Sequence, residues 1–158
     1  MTNRPPGGEP RIPTAALALG LAGVLPFVWG ALTDMNPALH GWAVRTLGPR
    51  FAGQYVLIFY GAVILSFMSG VLWGFAARTE GRTAAIGFTV SVIPALWTFF
   101  LVGGGEDRAT WALIAGFLGL LGLDYGFARV GLAPPWWMNL RSLLTVLVVG
   151  CLTLGLLF

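Results

Sequence analysis

FAGQYVLIFYGAVILSFMSGVLWGFAA, residues Phe51 to Ala77, carries no charged side chain between Arg50 and Arg78. A helix rises about 1.5 Å per residue, so about twenty residues cross the ~30 Å hydrocarbon layer of a bilayer, and this stretch is long enough. It is apolar on every side rather than along one stripe, which suits lipid and not water. Four more stretches of the same kind surround it, from Pro13 to Thr33, Thr83 to Val102, Thr110 to Val130 and Trp136 to Phe158. Almost every charge falls between them. The pattern predicts an all-α, polytopic membrane protein with five transmembrane helices.

Composition agrees. Charged residues make up 9% of the 158-residue chain, against roughly 25% in soluble domains, so it cannot cover itself with polar groups and the lipid bilayer must do so. All nine basic residues are Arg. They are spread over the flanks of the spans and form no basic patch, so no nucleic acid is expected as a partner. Residues 1–11, MTNRPPGGEPR, read as a disordered tail ahead of a single five-helix domain over residues 12–158. The first span is longer than a signal-peptide core and reads as a retained helix.

Arg placement predicts orientation. Arg4, Arg11, Arg78, Arg82, Arg129 and Arg141 share one side, and Arg45, Arg50 and Arg108 share the other. Positive residues favour the cytoplasm, which puts the N-terminus inside and the C-terminus outside, in a bacterial inner membrane. Trp136 and Trp137 suit an interfacial belt, and Arg141 can snorkel past them. In the first loop Asn36 is an N-cap, Pro37 a first helical residue and Gly48-Pro49 a stop. Leu39, Trp42, Ala43, Thr46 and Leu47 fall on one face with Arg45 roughly opposite, so an interfacial helix is expected at about 37–47.

An internal repeat is visible. Val24-Leu25-Pro26-Phe27-Val28-Trp29 matches Val92-Ile93-Pro94-Ala95-Leu96-Trp97, and Trp73-Gly74-Phe75-Ala76 matches Tyr125-Gly126-Phe127-Ala128. The reading is two parallel-repeat helical hairpins plus a C-terminal helix, with Pro26 and Pro94 as helix kinks. Small residues at Ala62, Ser66, Gly70 and Gly74 in span two, and at Gly119, Gly122 and Gly126 in span four, are expected to pack those spans together. Self-association through one such face is the alternative. On the packing reading, leucine at Gly70 costs ~1–3 kcal/mol by overpacking.

Asp124 is the one acid that the span boundaries place inside the hydrocarbon, where an unpaired carboxylate costs several kcal/mol. Arg129, Arg141 and Arg78 lie on its side of the membrane. Two readings follow, a clamp that ties helices together and a protonatable site on a transport path. Gln54, Tyr60, Ser66, Ser69, Thr89, Ser91 and Thr98 could line a polar crevice or bond their own backbone. His40 is the lone histidine and Cys151 the lone cysteine, so no zinc site, haem pair or intrachain disulfide is expected. Gly103-Gly104-Gly105 runs into Glu106 and Asp107, which would repel a phosphate. No catalytic residue, metal or cofactor is expected. A lipid or quinone site would need an aromatic-lined lateral opening, for which Trp29, Trp73 and Trp97 are the candidates.

YGAVILSFMSGVLWG (Tyr60–Gly74), Pro94 with Trp97, and Pro135-Trp136-Trp137-Met138-Asn139-Leu140-Arg141 with Leu144-Thr145 together resemble a family of small bacterial membrane proteins of unknown function. Its mitochondrial relatives include the vertebrate transmembrane protein sixty-nine. The resemblance covers nearly the whole chain and implies a five-helix inner-membrane protein without an assigned activity. That family often carries His or Arg before the Trp-Gly pair. Here the residue is Leu72, so a role for that base does not carry over. The expected function is a non-catalytic membrane protein that packs with, or helps assemble, a membrane complex or a homo-oligomer. The alternative is a small transporter or proton-conducting protein using Asp124.

Overall fold

The structure, a computed structural model, describes residues 11–158; most of the expected tail lies outside the described residues. Among the described residues five helical spans are long and apolar enough to cross a membrane: Thr14–Met35, Gly53–Ala76, Gly81–Leu101, Glu106–Arg129 and Trp137–Leu157. The chain is a multi-pass, all-helical membrane protein. Span one comprises α1 (Thr14–Ala22) and α2 (Leu25–Met35), followed by α3 (Pro37–Leu47). Span two is α4 (Gly53–Ala76), and span three comprises α5 (Gly81–Ser91) and α6 (Ile93–Leu101). Spans four and five are α7 (Glu106–Arg129) and α8 (Trp137–Leu157). Helix α7 starts a turn before the hydropathy does, because Glu106 and Asp107 in its first turn favour the positive end of the helix dipole.

Helix α3 is capped by Asn36, whose side chain accepts from the N–H groups of Ala38 and Leu39 at 3.0 and 3.1 Å. Gly48 ends it at φ +98°, a conformation that suits glycine. Its inward face is narrower than the sequence spacing implies. Ala43 is buried and Leu39 half-buried, whereas Thr46 and Leu47 are exposed and Trp42 meets Trp29 edge-on at 6.3 Å.

Spans one and three are each broken two residues before a proline, as expected of rings that lack an N–H. The two breaks are mended differently. In span one the N–H groups of Phe27 and Val28 both turn to the Val24 carbonyl, at 3.0 and 3.1 Å. In span three the Ser69 hydroxyl of α4 enters the gap, accepting from the Ala95 N–H at 3.1 Å and donating to the Ser91 carbonyl. Those two backbone groups would bond each other in an unbroken helix. Ser69→Ala is therefore expected to leave both unsatisfied and to lower stability by about 1–3 kcal/mol, measurable by unfolding in mixed detergent micelles. One turn beyond each proline a tryptophan donates across to a later backbone carbonyl, just ahead of α4 in the first case and within α7 in the second. The indole of Trp29 donates to the Phe51 carbonyl at 2.8 Å, and that of Trp97 to the Ala112 carbonyl at 2.7 Å.

Helix α4 touches every other span. Its core stripe is Leu57, Leu65, Leu72 and Ala76, which faces Leu113, Phe117 and Leu120 of α7 and Leu152 of α8. This corrects the expected packing faces. Gly70 and Gly74 of α4, and Gly119, Gly122 and Gly126 of α7, are all exposed, and a Cβ added to any of them would meet nothing within 4 Å. Ala62 and Ser66 are half-buried. Close approach occurs at other glycines. A Cβ at Gly61 would come within 2.9 Å of Leu113, at Gly87 within 2.8 Å of the Ala76 Cβ, and at Gly116 within 2.5 Å of Leu65. The reason is that lipid accepts small and large apolar faces alike, while the core gains dispersion contacts from the large ones.

Candidate functional site

The core stripe of α7 runs through Leu113, Phe117, Leu120, Asp124 and Phe127, residues three and four apart, so Asp124 occupies a position that the helix turns inward. The facing stripe of α8 runs through Arg141, Thr145, Val148 and Leu152. Where the stripes meet, the Arg141 Nε donates to Asp124 Oδ2 at 2.7 Å. One turn earlier on α8, the Trp137 indole donates to Asp124 Oδ1 at 2.8 Å. Asp124 is 0% exposed and Arg141 4%. Burying either charge alone would cost several kcal/mol, but as a pair they are neutral and the hydrogen bonds replace part of the lost hydration. The guanidinium lies 6.0 Å from the Trp137 ring centre, and Phe75 of α4 meets that ring edge-on at 5.1 Å, which fixes the indole in place.

Of the sequence-derived polar cluster, Asp124 and Arg141 come together and Arg129 and Arg78 do not join them. Arg129 is exposed, with its guanidinium 5.8 Å from the Tyr125 ring. Arg78 donates to the Leu132 carbonyl in the turn between α7 and α8 and lies 5.4 Å from the Phe75 ring. Trp137 takes the expected place of the second arginine. Its position beside Trp136 suggests a lipid belt, yet it is turned inward because the Asp124 carboxylate offers its N–H a partner away from water. Leu72, where the family resemblance implies a base, is fully buried in the core.

A second polar cluster lies at the other end of the bundle. Thr33 in α2 donates to the Trp29 carbonyl at 2.8 Å and accepts at 2.8 Å from the N–H of Gly53, so it caps α4 from the neighbouring span. The Thr33 carbonyl is 3.2 Å from His40 Nδ1, and Gln54 Nε2 donates to the Gly155 carbonyl of α8 at 2.6 Å. Asp34 Oδ2 and Gln54 Oε1 are buried without a hydrogen-bond partner. Gly53 has φ +57°, and a Cβ there would sit 3.0 Å from Asp34 Oδ1 and 3.1 Å from the His40 ring. Asp34 and His40 flank the Asn36-Pro37 turn while Gln54 stands beyond α3 at the start of α4, so the cluster forms only once α3 folds back on the bundle. Among the described residues no three His, Cys, Asp or Glu side chains converge.

Over residues 12–157 the chain matches a family described as "Protein of unknown function (DUF3429)". It is similar to transmembrane protein 69 of Xenopus tropicalis, with 37% identity over 142 residues. That alignment covers 87% of this chain and 51% of the relative, so the chain spans about half the length of the curated relative it matches. No solved structure matches it.

Proposed function

The chain belongs to the DUF3429 family of unknown function, and we propose that it is a non-catalytic inner-membrane protein that packs against a helix of a larger membrane assembly. The observation that carries this reading is the outward glycine face of α7. Gly119, Gly122 and Gly126 recur on one side of the helix, and a Cβ added to any of them would meet nothing within 4 Å. Gly122 and Gly126 also floor a groove of about 350 Å³ between α5 and α7, walled by Ile86, Val90 and Phe127. Small residues allow a partner backbone to come close, and close packing drives association where lipid removes the hydrophobic contrast. The occupant that suits such a groove is one apolar transmembrane helix. The sealed Asp124 carboxylate, with both oxygens taken by internal donors, favours this reading over proton conduction.

In the same reading the N-terminus is cytoplasmic, following the arginine count. The two hairpins form a parallel repeat, supported by the matching positions of helix break, proline and tryptophan in spans one and three.

A photocrosslinking residue placed at Gly122 in cells tests the docking face. The expected result is one discrete adduct, lost when Gly126 is replaced by leucine, while the monomer's stability changes by no more than about 0.5 kcal/mol. An adduct of twice the monomer mass would identify the partner helix as a second copy of this chain. Only diffuse lipid adducts at Gly122, matching those at exposed Phe99, would contradict the reading.

A further inference from the structure

We propose that the cavity bounded by α1, α2, α4, α7 and α8 holds the neutral carbonyl end of an apolar membrane molecule, an acyl ester or a quinone, on Arg141 and Thr145. Arg141 uses its Nε on Asp124, and its Nη2 is buried without a partner. The Thr145 hydroxyl, one turn further along α8, is also buried without a partner. The residues are 4% and 3% exposed, and both line the cavity.

Threonine in a membrane helix normally bonds the carbonyl four residues back. The hydroxyls of Thr33, Thr89, Thr98, Thr110 and Thr153 all do so, at 2.8 to 2.9 Å. Thr145 departs from them. Two buried polar groups side by side without partners lose hydration with nothing in exchange, unless something that enters the cavity bonds them.

The other walls are apolar, among them Val24, Phe27, Ile64, Met68, Phe117 and Val148. The cavity opens sideways where α1, which has no buried residue, stands at the edge of the bundle. Leu19 at 74% exposure and Phe67 at 64% flank that opening, so a molecule would enter from lipid. The expected aromatic candidates Trp29, Trp73 and Trp97 do not line it. Its volume of about 250 Å³ is slightly below the ~300–1,000 Å³ usual for whole-ligand sites, so it would accept a ring or a section of chain. Arg141 and Thr145 lie four and eight residues past the start of α8 at Trp137, roughly 6 and 12 Å along its axis from that end.

Charge selects the class of ligand. Asp124 already neutralises Arg141, so a carboxylate in the cavity would be a buried net charge without a counter-ion. A carbonyl oxygen can accept from both Nη2 and the hydroxyl without that cost.

The test uses the full chain reconstituted in vesicles of dialkyl-ether phosphatidylcholine, which offers no ester carbonyl, with one of three photoactivatable probes: a phospholipid labelled beside its acyl ester, a quinone, or a free fatty acid. Labelled residues are mapped by mass spectrometry with and without excess unlabelled competitor, and exposed Phe99 and Phe100 report bulk lipid. Competable labelling at Ile64–Met68 or Leu144–Val148 by the phospholipid or by the quinone is expected, and which of the two competes identifies the source. Thr145→Val keeps the side-chain volume and the Asp124 pair, and should weaken competition on the order of fivefold, the loss of one hydrogen bond. Ile64→Trp fills the cavity and should abolish it. Labelling no different from the Phe99 control overturns the proposal, as does preference for the fatty acid. So does competition that is unchanged in Thr145→Val when that variant folds like the parent, and this arm decides if Ile64→Trp does not fold.

Discussion

Asp124→Asn is expected to lower the stability of the folded chain by about 3–5 kcal/mol, the usual cost of removing one partner from a buried ion pair. The amide keeps the shape but has a single accepting oxygen, so it can accept from Trp137 or from Arg141 and turns its NH2 toward the other donor, and it leaves a guanidinium with 4% exposure charged and without a counter-ion. Arginine does not relieve that cost by losing its proton. Equilibrium unfolding in mixed micelles measures the effect. The loss is also specific to depth, because removing the exposed charge at Arg129 should change stability by less than about 0.5 kcal/mol.

The second large effect is expected at Gly116. A Cβ there would lie 2.5 Å from Leu65 and 3.0 Å from two atoms of the Trp97 ring. Leu65 is fully buried, and Trp97 is held by its bond to the Ala112 carbonyl, so neither can retreat cheaply. Gly116→Ala should cost about 1–3 kcal/mol by overpacking, and Gly116→Leu more. Gly70→Leu and Gly119→Leu, whose side chains would enter open space, should leave the unfolding midpoint almost unchanged. Equal losses at buried and outward glycines would mean that the faces are assigned the wrong way round.

These contrasts show which layers of the structure the sequence exposes. The five spans were legible because hydrocarbon imposes a length and excludes charge, two constraints that act residue by residue. The Pro26 and Pro94 breaks were legible because a missing N–H acts locally. The facing of each helix was not. In water, polarity separates the inner face of a helix from the outer one, whereas here Gly70 and Leu72, two residues apart on α4, are both acceptable to lipid and only packing against α7 distinguishes them.

The site follows the same rule. Asp124 stood out in the sequence because a carboxylate in hydrocarbon needs a partner, and Arg141 was one of three arginines within plausible reach. Helical phase chooses among them. Asp124 shares the inward stripe of Leu120 and Phe127, and Arg141 shares that of Thr145 and Val148, while Arg129 falls on the outer side of α7. Trp137 was hidden by chemistry common to two roles, since an indole beside Trp136 serves equally as an interfacial anchor or as a buried donor. The cluster of Thr33, Asp34, His40 and Gln54 depends on how the α3 turn folds back, which no local pattern specifies.

A double-mutant cycle on Asp124 and Arg141 tests the clamp most directly. Asp124→Leu and Arg141→Met each strand a buried charge, and each should destabilise the chain by about 3–5 kcal/mol, while the double variant should return to within about 1.5 kcal/mol of the parent because no charge is left to strand. Single losses that add to within about 0.5 kcal/mol in the double variant would mean that the two residues act independently and that Asp124 is not held by Arg141.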